Sequence, residues 1–303
     1  MKCSEFSKRM WAAVTGTALA VASSAALALP VPWQLNMTQG VTKTSREVYE
    51  IHMWAFYVCC VIGVIVFGAM IYAMFKFRKS KGAVAATWSH NTKAELVWTI
   101  VPILILIVLA APATGVMISM AHTEDSQMTV KITGYQWKWG YDYVNWGDKP
   151  YHVHFISKLD GESDRTRQLK SGLDPFAVKA DGENTYLLNV DHPLVVPTDT
   201  KIRFVVTGDD VIHAWWVPQL GWKQDAIPGI INDDWTEIHD PGIYRGQCAE
   251  LCGQDHGFMP IVVKAVPKAE FIKWLDTQEA ALAPPPAAAA TAAATEPTPA
   301  PKG

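Results

Sequence analysis

Cysteine is scarce in this chain. Five occur in 303 residues: Cys3 in an N-terminal targeting-type segment, Cys59 and Cys60 in an apolar run, and only Cys248 and Cys252 in the polar part. A single pair in a loop cannot be the disulfide framework of a small secreted fold. Excess charge is scarce too, with 26 Lys+Arg against 29 Asp+Glu. No large basic surface remains for nucleic acid. The small net charge hides an asymmetry: residues 121–266 hold 21 acids and 13 bases, a local net of −8. That excess suits a cationic partner or bound cations, and an ordinary solvated surface equally.

The length and the 50% hydrophobic content allow a soluble domain plus membrane-embedded length. Residues 1–28 carry Lys2, Lys8 and Arg9, then an apolar stretch and Ala26-Leu27-Ala28, the pattern of a secretory signal peptide. Ile51–Phe75 lacks Asp, Glu, Lys and Arg and is long enough to span a bilayer. The cluster Lys76–Lys81, with four basic residues and no acid, favours the cytoplasmic side. Leu96–Met120 is a second span despite Pro102 and Pro112, because neighbouring helices satisfy freed carbonyls. Residues 29–120 therefore form an N-terminal segment and a two-helix transmembrane hairpin, and everything after Met120 lies outside.

The outer segment reads as β-structure. "MTVKITGYQWKWGYDY", "TYLLNVDHPLVVP", "KIRFVVTG", "GIYRGQ" and "MPIVVKAV" are rich in β-branched and aromatic residues, with turn residues between them. Short strands at such intervals predict a sandwich or small barrel over residues 121–266. The polar stretch 145–182 reads as inserted loops. Residues 267–303 read as a short amphipathic helix from Lys268, then a disordered Pro/Ala-rich tail.

The chemistry concentrates in "GQCAELCGQDHGFMP", Gly246–Pro260, where Cys248, Cys252, His256 and Met259 stand three or four residues apart. Spacing alone leaves open a disulfide, a structural zinc site lacking a fourth ligand, and copper. A soft thioether beside thiolate and imidazole favours copper. A mononuclear site would need one more imidazole, which His213 in "DDVIHAWWVP" could supply after the strand "KIRFVV". His192, His239, His152 and His154 compete for that place. Cys248 is surplus to one copper, whereas two thiolates can bridge two copper ions that share one unpaired electron. Such a pair suits electron transfer.

These residues also carry a resemblance. "VIHAWWVPQLGWKQDAIPG" (211–229) and "GQCAELCGQDHGFMPIVV" (246–263) resemble the dinuclear copper signature of cytochrome c oxidase subunit II. "GYQWKWGYDY" (134–143) resembles that family's aromatic segment, and "AELVWTIVPILIL" (94–106) its second membrane helix. The resemblance covers about 32–266 and implies a cupredoxin-like fold for the outer, periplasmic domain.

It implies the following roles. Cys248 and Cys252 would bridge two copper ions, with His213 and His256 as imidazole ligands. Met259 and the backbone carbonyl of Glu250 would be the weak ligands, and the Glu250 carboxylate would contribute to a magnesium site shared with subunit I. Trp137 would receive electrons from cytochrome c, while Trp139 reads as a core or interface aromatic. Asp142, Asp191, Asp209 and Asp210 would face the basic rim of cytochrome c. Glu95 would open a proton pathway into subunit I, or simply favour a helix start. No CxxCH occurs, so no haem is expected in this chain and the donor would be a separate protein.

Two positions depart from the family pattern: Ile230 stands where Arg is usual, and Lys138 where an aromatic is usual. The expected activity is that of an oxidase subunit, inactive alone, working with subunit I and other oxidase subunits in a bacterial inner membrane. The rivals are a quinol oxidase subunit, a copper subunit of a nitric or nitrous oxide reductase, and a membrane-anchored zinc or disulfide-stabilised binding module. The full ligand set argues against the first.

Overall fold

The computed structural model describes residues 26–27, 33–179 and 185–282. The expected signal peptide, apart from Ala26 and Leu27, and the Pro/Ala-rich tail lie outside the described residues. In chain order the elements are β1 (Ala26–Leu27), α1 (Lys43–Lys76), α2 (Thr92–Met120), β2 (Met128–Tyr135), β3 (Lys138–Trp146), β4 (Lys149–Ser157) and α3 (Gly161–Arg167). There follow β5 (Leu194–Pro197), β6 (Ile202–Gly208), β7 (His213–Trp216), β8 (Lys223–Ala226), β9 (Asn232–Thr236), β10 (Gly242–Gln247), β11 (Pro260–Val266) and α4 (Lys268–Leu282).

Both long helices outrun the expected spans because their ends are capped by polar residues. The Thr42 hydroxyl accepts from the Ser45 amide at 3.0 Å, and the Ser45 hydroxyl accepts from the Thr42 amide at 3.0 Å. This reciprocal box starts α1 two turns before its apolar run. Asn91 caps α2 by accepting from the Lys93 and Ala94 amides. The apolar side chains of both helices, Val64, Ile65, Leu106 and Val108 among them, are exposed. Both helices are long and apolar enough to cross a membrane and are not buried in protein, which fits a membrane-anchored chain.

The helix pair is tied to the β-domain at two places. The Thr42 hydroxyl donates to the Leu220 carbonyl at 2.8 Å, and the Val41 amide donates to the Gln219 carbonyl at 2.9 Å. The Trp235 indole on β9 donates to the Ser119 carbonyl at the end of α2, also at 2.8 Å.

The β-domain has a five-stranded sheet in the order β4-β3-β2-β6-β9, a four-stranded sheet β1-β10-β11-β5, and the small hairpin β7-β8. Period-two alternation explains the main core: Ile202, Phe204 and Val206 on β6 are buried while their neighbours are partly exposed. Opposite them, Leu194, Val196, Tyr244, Ile261 and Val263 contribute the second inner face. Stacked Trp215 and Trp222, with ring centroids 5.0 Å apart, pack against Phe204 and place the β7-β8 hairpin over the core.

Several expectations are corrected. "MTVKITGYQWKWGYDY", read as β-structure, is a hairpin turning at Gln136-Trp137 with Tyr135 opposite Lys138. Only Leu194–Pro197 of "TYLLNVDHPLVVP" is strand. The stretch 145–182 is not all loop: it contains β4 and α3. In β4, Tyr151 and Val153 alternate inward, but His152 and His154 at the intervening positions, and the exposed Lys149 at its start, disguise the run as polar. α4 docks through buried Phe271 and Leu275, as its amphipathic pattern predicts.

Candidate metal centre

Backbone pairing builds the site at one end of the sandwich. His213 is the first residue of β7, buried at the end away from the helix-linked turn at Leu220. The loop from Cys248 to Met259 joins β10 to β11, and its ends are closed by the Cys248 amide donating to the Met259 carbonyl at 3.3 Å. The Ala249 amide donates to the Ala214 carbonyl at 3.0 Å, stitching the loop to β7. Gly246 makes the approach of β7 to β10 feasible, since a Cβ there would lie 2.0 Å from the Trp216 carbonyl oxygen.

This folding brings the predicted donors together. Cys248 Sγ lies 3.9 Å from His213 Nδ1 and 3.8 Å from Cys252 Sγ. Cys252 Sγ lies 3.5 Å from His256 Nδ1 and 3.6 Å from Met259 Sδ. Cys248 Sγ lies 3.3 Å from the Glu250 carbonyl oxygen. Donors held about 2.0–2.3 Å from a shared ion sit about 3.3–3.8 Å apart, so these separations suit metal ligation. They do not suit a disulfide, whose sulfurs are about 2.05 Å apart, and both cysteines are free thiols. Each thiol has an imidazole beside it, His213 at Cys248 and His256 at Cys252, and the weak donors divide between them: Glu250 carbonyl nearest Cys248, Met259 nearest Cys252. A single tetrahedral ion would leave part of this set unused; two ions bridged by the sulfurs would use it all.

The electrostatics make Cys248 the more acidic of the two thiols. Burial raises the Cys248 thiol, but hydrogen bonds with His213, the Ala214 amide and Glu250 outweigh burial and bring it down to about 7. Burial and the neighbouring Cys248 charge push Cys252 up. A bound cation would deprotonate the second thiol as well. Burial lowers His213, while Cys248 and Asp210 together hold it above its usual value.

Two contributors went unnoticed in the sequence. Gln136, at the hairpin turn, donates its side-chain amide to the Cys252 carbonyl at 2.9 Å and holds the second cysteine in place. Asp210, expected only as a docking acid, puts Oδ1 2.9 Å from His213 Nε2 and accepts from the Gln136 and Val211 amides. Its place three residues before a candidate ligand was the available signal.

Trp137 is half-buried at the same turn and packs against the loop: a Cβ on Gly253, next to Cys252, would lie 3.2 Å from its Cζ2. Trp139 is wholly buried in the core. Asp142, Asp209 and Asp210 all raise the Tyr135 hydroxyl, after burial, which puts their charge around the turn that carries Trp137. Asp191 shares a groove with Trp137 and accepts from the Lys158 amide at 2.9 Å. Lys138 sits 5.8 Å from the Tyr135 ring.

The remaining predicted residues lie apart. Glu95, in the first turn of α2, is exposed and accepts from the Asn91 amide at 3.3 Å, a helix-start contact. The Glu250 side chain is on the exposed part of the loop. Ile230 is exposed beside exposed Ile231. Of the competing histidines, His192 pairs with Asp191 and His239 with Asp199, while His152 and His154 line the exposed face of β4.

Comparison with known proteins agrees with this layout. Residues 128–266 match the profile of the cytochrome c oxidase subunit II periplasmic domain, and residues 30–116 that of its transmembrane domain. The probable cytochrome c oxidase subunit 2 of Rickettsia bellii is 34% identical over 254 residues, covering 84% of this chain and 87% of that protein. Cytochrome c oxidase subunit 2 of Mycosarcoma maydis is 38% identical over 250 residues, covering 82% and 92%. Among solved structures, the periplasmic domain of subunit II (CoxB) of Bradyrhizobium japonicum is 36% identical, with a TM-score of 0.43, covering 53% of this chain and 99% of that one.

Proposed function

The chain belongs to the cytochrome c oxidase subunit II family, the copper-carrying subunit of haem–copper oxidases, and from that premise we propose that it receives electrons from cytochrome c and hands them to haem in subunit I. The observation that carries the proposal is the donor set: two thiols 3.8 Å apart, with two imidazoles and two weak donors around them. When bound, a copper pair there takes up and releases one electron shared over both metals.

The chain's own residues make that exchange easy. Cys248 and Cys252 are buried, so water is kept from the sulfurs. Strand β7, the β10-β11 loop closure and the Gln136 amide hold the donors in one arrangement whatever the charge of the centre. Little reorganisation is then needed per electron. Trp137, against Gly253, offers a π-system between the outer surface and Cys252. Asp142, Asp191 and Asp209 surround this face and would steer a cationic donor. Asp210 would serve both ends, as a surface charge and as the partner of His213.

The remaining assignments follow the same reading. The Glu250 carboxylate would join a magnesium site at the boundary with subunit I, and Glu95 would lie at a proton-pathway opening. The Lys76–Lys81 turn would face the cytoplasm of a bacterial inner membrane, leaving residues 121–266 in the periplasm as the copper domain.

The test is copper content and paramagnetic resonance of the full chain in detergent, its thiols reduced before copper loading and the loaded centre then measured in its oxidised form. The expected result is two coppers per chain, with hyperfine structure from one electron on two nuclei. One copper with the electron on a single nucleus, or zinc in its place, overturns the reading.

A further inference from the structure

We propose that Arg167, on helix α3 of the 145–182 insertion, is a positioning residue that clamps the metal-loop turn between His256 and Met259. The inference rests on the copper reading for its purpose, though not for its geometry. The guanidinium carbon lies 4.4 Å from the centroid of the Phe258 ring, within cation–π range. Its Nη2 lies 3.6 Å from Asp255 Oδ2. Asp255 precedes and Phe258 ends the 3-10 turn His256–Phe258, which begins with the candidate ligand His256 and runs directly into Met259. One side chain from a distant part of the sequence therefore holds both shoulders of that turn.

The clamp is itself held. Arg167 Nε donates to Asp164 Oδ1 at 2.9 Å, which aims the planar fork. Helix α3 is capped by Asp160, which accepts from the Glu162 and Ser163 amides. The buried Ser163 hydroxyl accepts from the Leu187 amide at 3.1 Å, and the Asp160 amide donates to the Asn189 carbonyl at 3.2 Å. Arg167 and Asp255 keep about a quarter of their side-chain surface exposed, so the pair is only partly screened by solvent. A short turn with only two internal backbone bonds, His256 amide to Gly253 and Phe258 amide to Asp255, has little rigidity of its own. External contacts must supply it, and Arg167 supplies two. The insertion thus acts on the metal loop without contributing a donor.

The experiment compares wild type, Arg167→Ala and Arg167→Lys in the assembled oxidase and as copper-free full chain in detergent. In the oxidase, the rate of copper loss to a cuprous chelator and the resonance spectrum are recorded. In the copper-free chain, amide hydrogen exchange is followed across residues 253–259 and across β2 and β6. Arg167→Ala is expected to release copper at least tenfold faster, alter the hyperfine pattern and speed exchange in 253–259 alone. Arg167→Lys, which keeps the charge and loses the planar fork, should fall between. Unchanged release and exchange would overturn the clamp, and so would faster exchange spread equally into β2 and β6. Wild type without a copper pair would overturn the function proposed above, while exchange in the copper-free chain would still decide the clamp.

Discussion

Asp210 Oδ1 lies 2.9 Å from His213 Nε2, while the other ring nitrogen, Nδ1, faces Cys248 Sγ at 3.9 Å. An ionised carboxylate can only accept, so Nε2 carries the proton and Nδ1 keeps its lone pair for a metal. The same carboxylate accepts from two backbone amides, which fixes it before any metal arrives. Asp210→Asn is expected to weaken copper affinity about 10–100-fold, the usual cost of losing such a support. Competition with a chelator of known affinity measures it.

Met259 separates packing from ligation. It is buried against the core, and Leu has nearly its volume. Met259→Leu should cost less than about 1.5 kcal/mol of stability. Loss of the thioether should nonetheless change the resonance spectrum and shift the copper potential, because the weak ligand that tunes the centre is gone. A redox titration beside a thermal melt checks both halves; an unchanged potential would remove Met259 from the ligand set.

Gly134 makes room for a ligand. A Cβ there would lie 2.8 Å from His213 Cδ2. Gly134→Ala must displace the ring or the β2 backbone, costing about 1–3 kcal/mol. The outcome expected is lower copper occupancy together with a lower melting temperature, both read on the full chain in detergent.

Asp234 gives a pH signature away from the site. Burial, aided by the charge of Asp233 and opposed by the Trp235 amide, pushes its carboxyl up to about 6. Its folded value is therefore raised, so its contribution to stability is complete below the unfolded carboxylate range and is lost as pH rises through about 6. Asp234→Asn should flatten the stability profile between about pH 4 and 6 and stabilise the chain at pH 7 by on the order of 2–3 kcal/mol. Denaturant melts across that range test it; a profile parallel to wild type would mean Asp234 is not the group titrating.

The acids around Trp137 should govern association rate. Replacing Asp142 and Asp209 with Asn should slow electron uptake from a cationic cytochrome c several-fold at low salt, with the difference vanishing near 0.5 M salt. Trp137→Phe should instead slow electron transfer at every ionic strength. Stopped-flow reduction kinetics at two salt concentrations distinguish the two.

Much was legible along the chain because it is local. An unbroken apolar run declares a membrane helix, since lipid leaves a backbone no other way to satisfy its polar groups. β-branched runs bounded by turn residues declared β6 and β11, and one loop carried Cys248, Cys252, His256 and Met259 within twelve residues. What stayed hidden depends on contacts between residues far apart in sequence. β4 looked polar because His152 and His154 hold outward positions and Lys149 opens the strand, and only pairing with β3 shows which face is buried. That Gln136 supports the Cys252 carbonyl, that Asp210 turns towards His213, and that Arg167 reaches Phe258 follow from strand register and loop closure, which no local pattern encodes. The sequence by itself therefore determined which chemistry the chain can hold and where its membrane anchor lies. The tertiary structure decided which histidine joins the thiols and which side chains hold the donors still, because distances between separated residues exist only once the chain has folded.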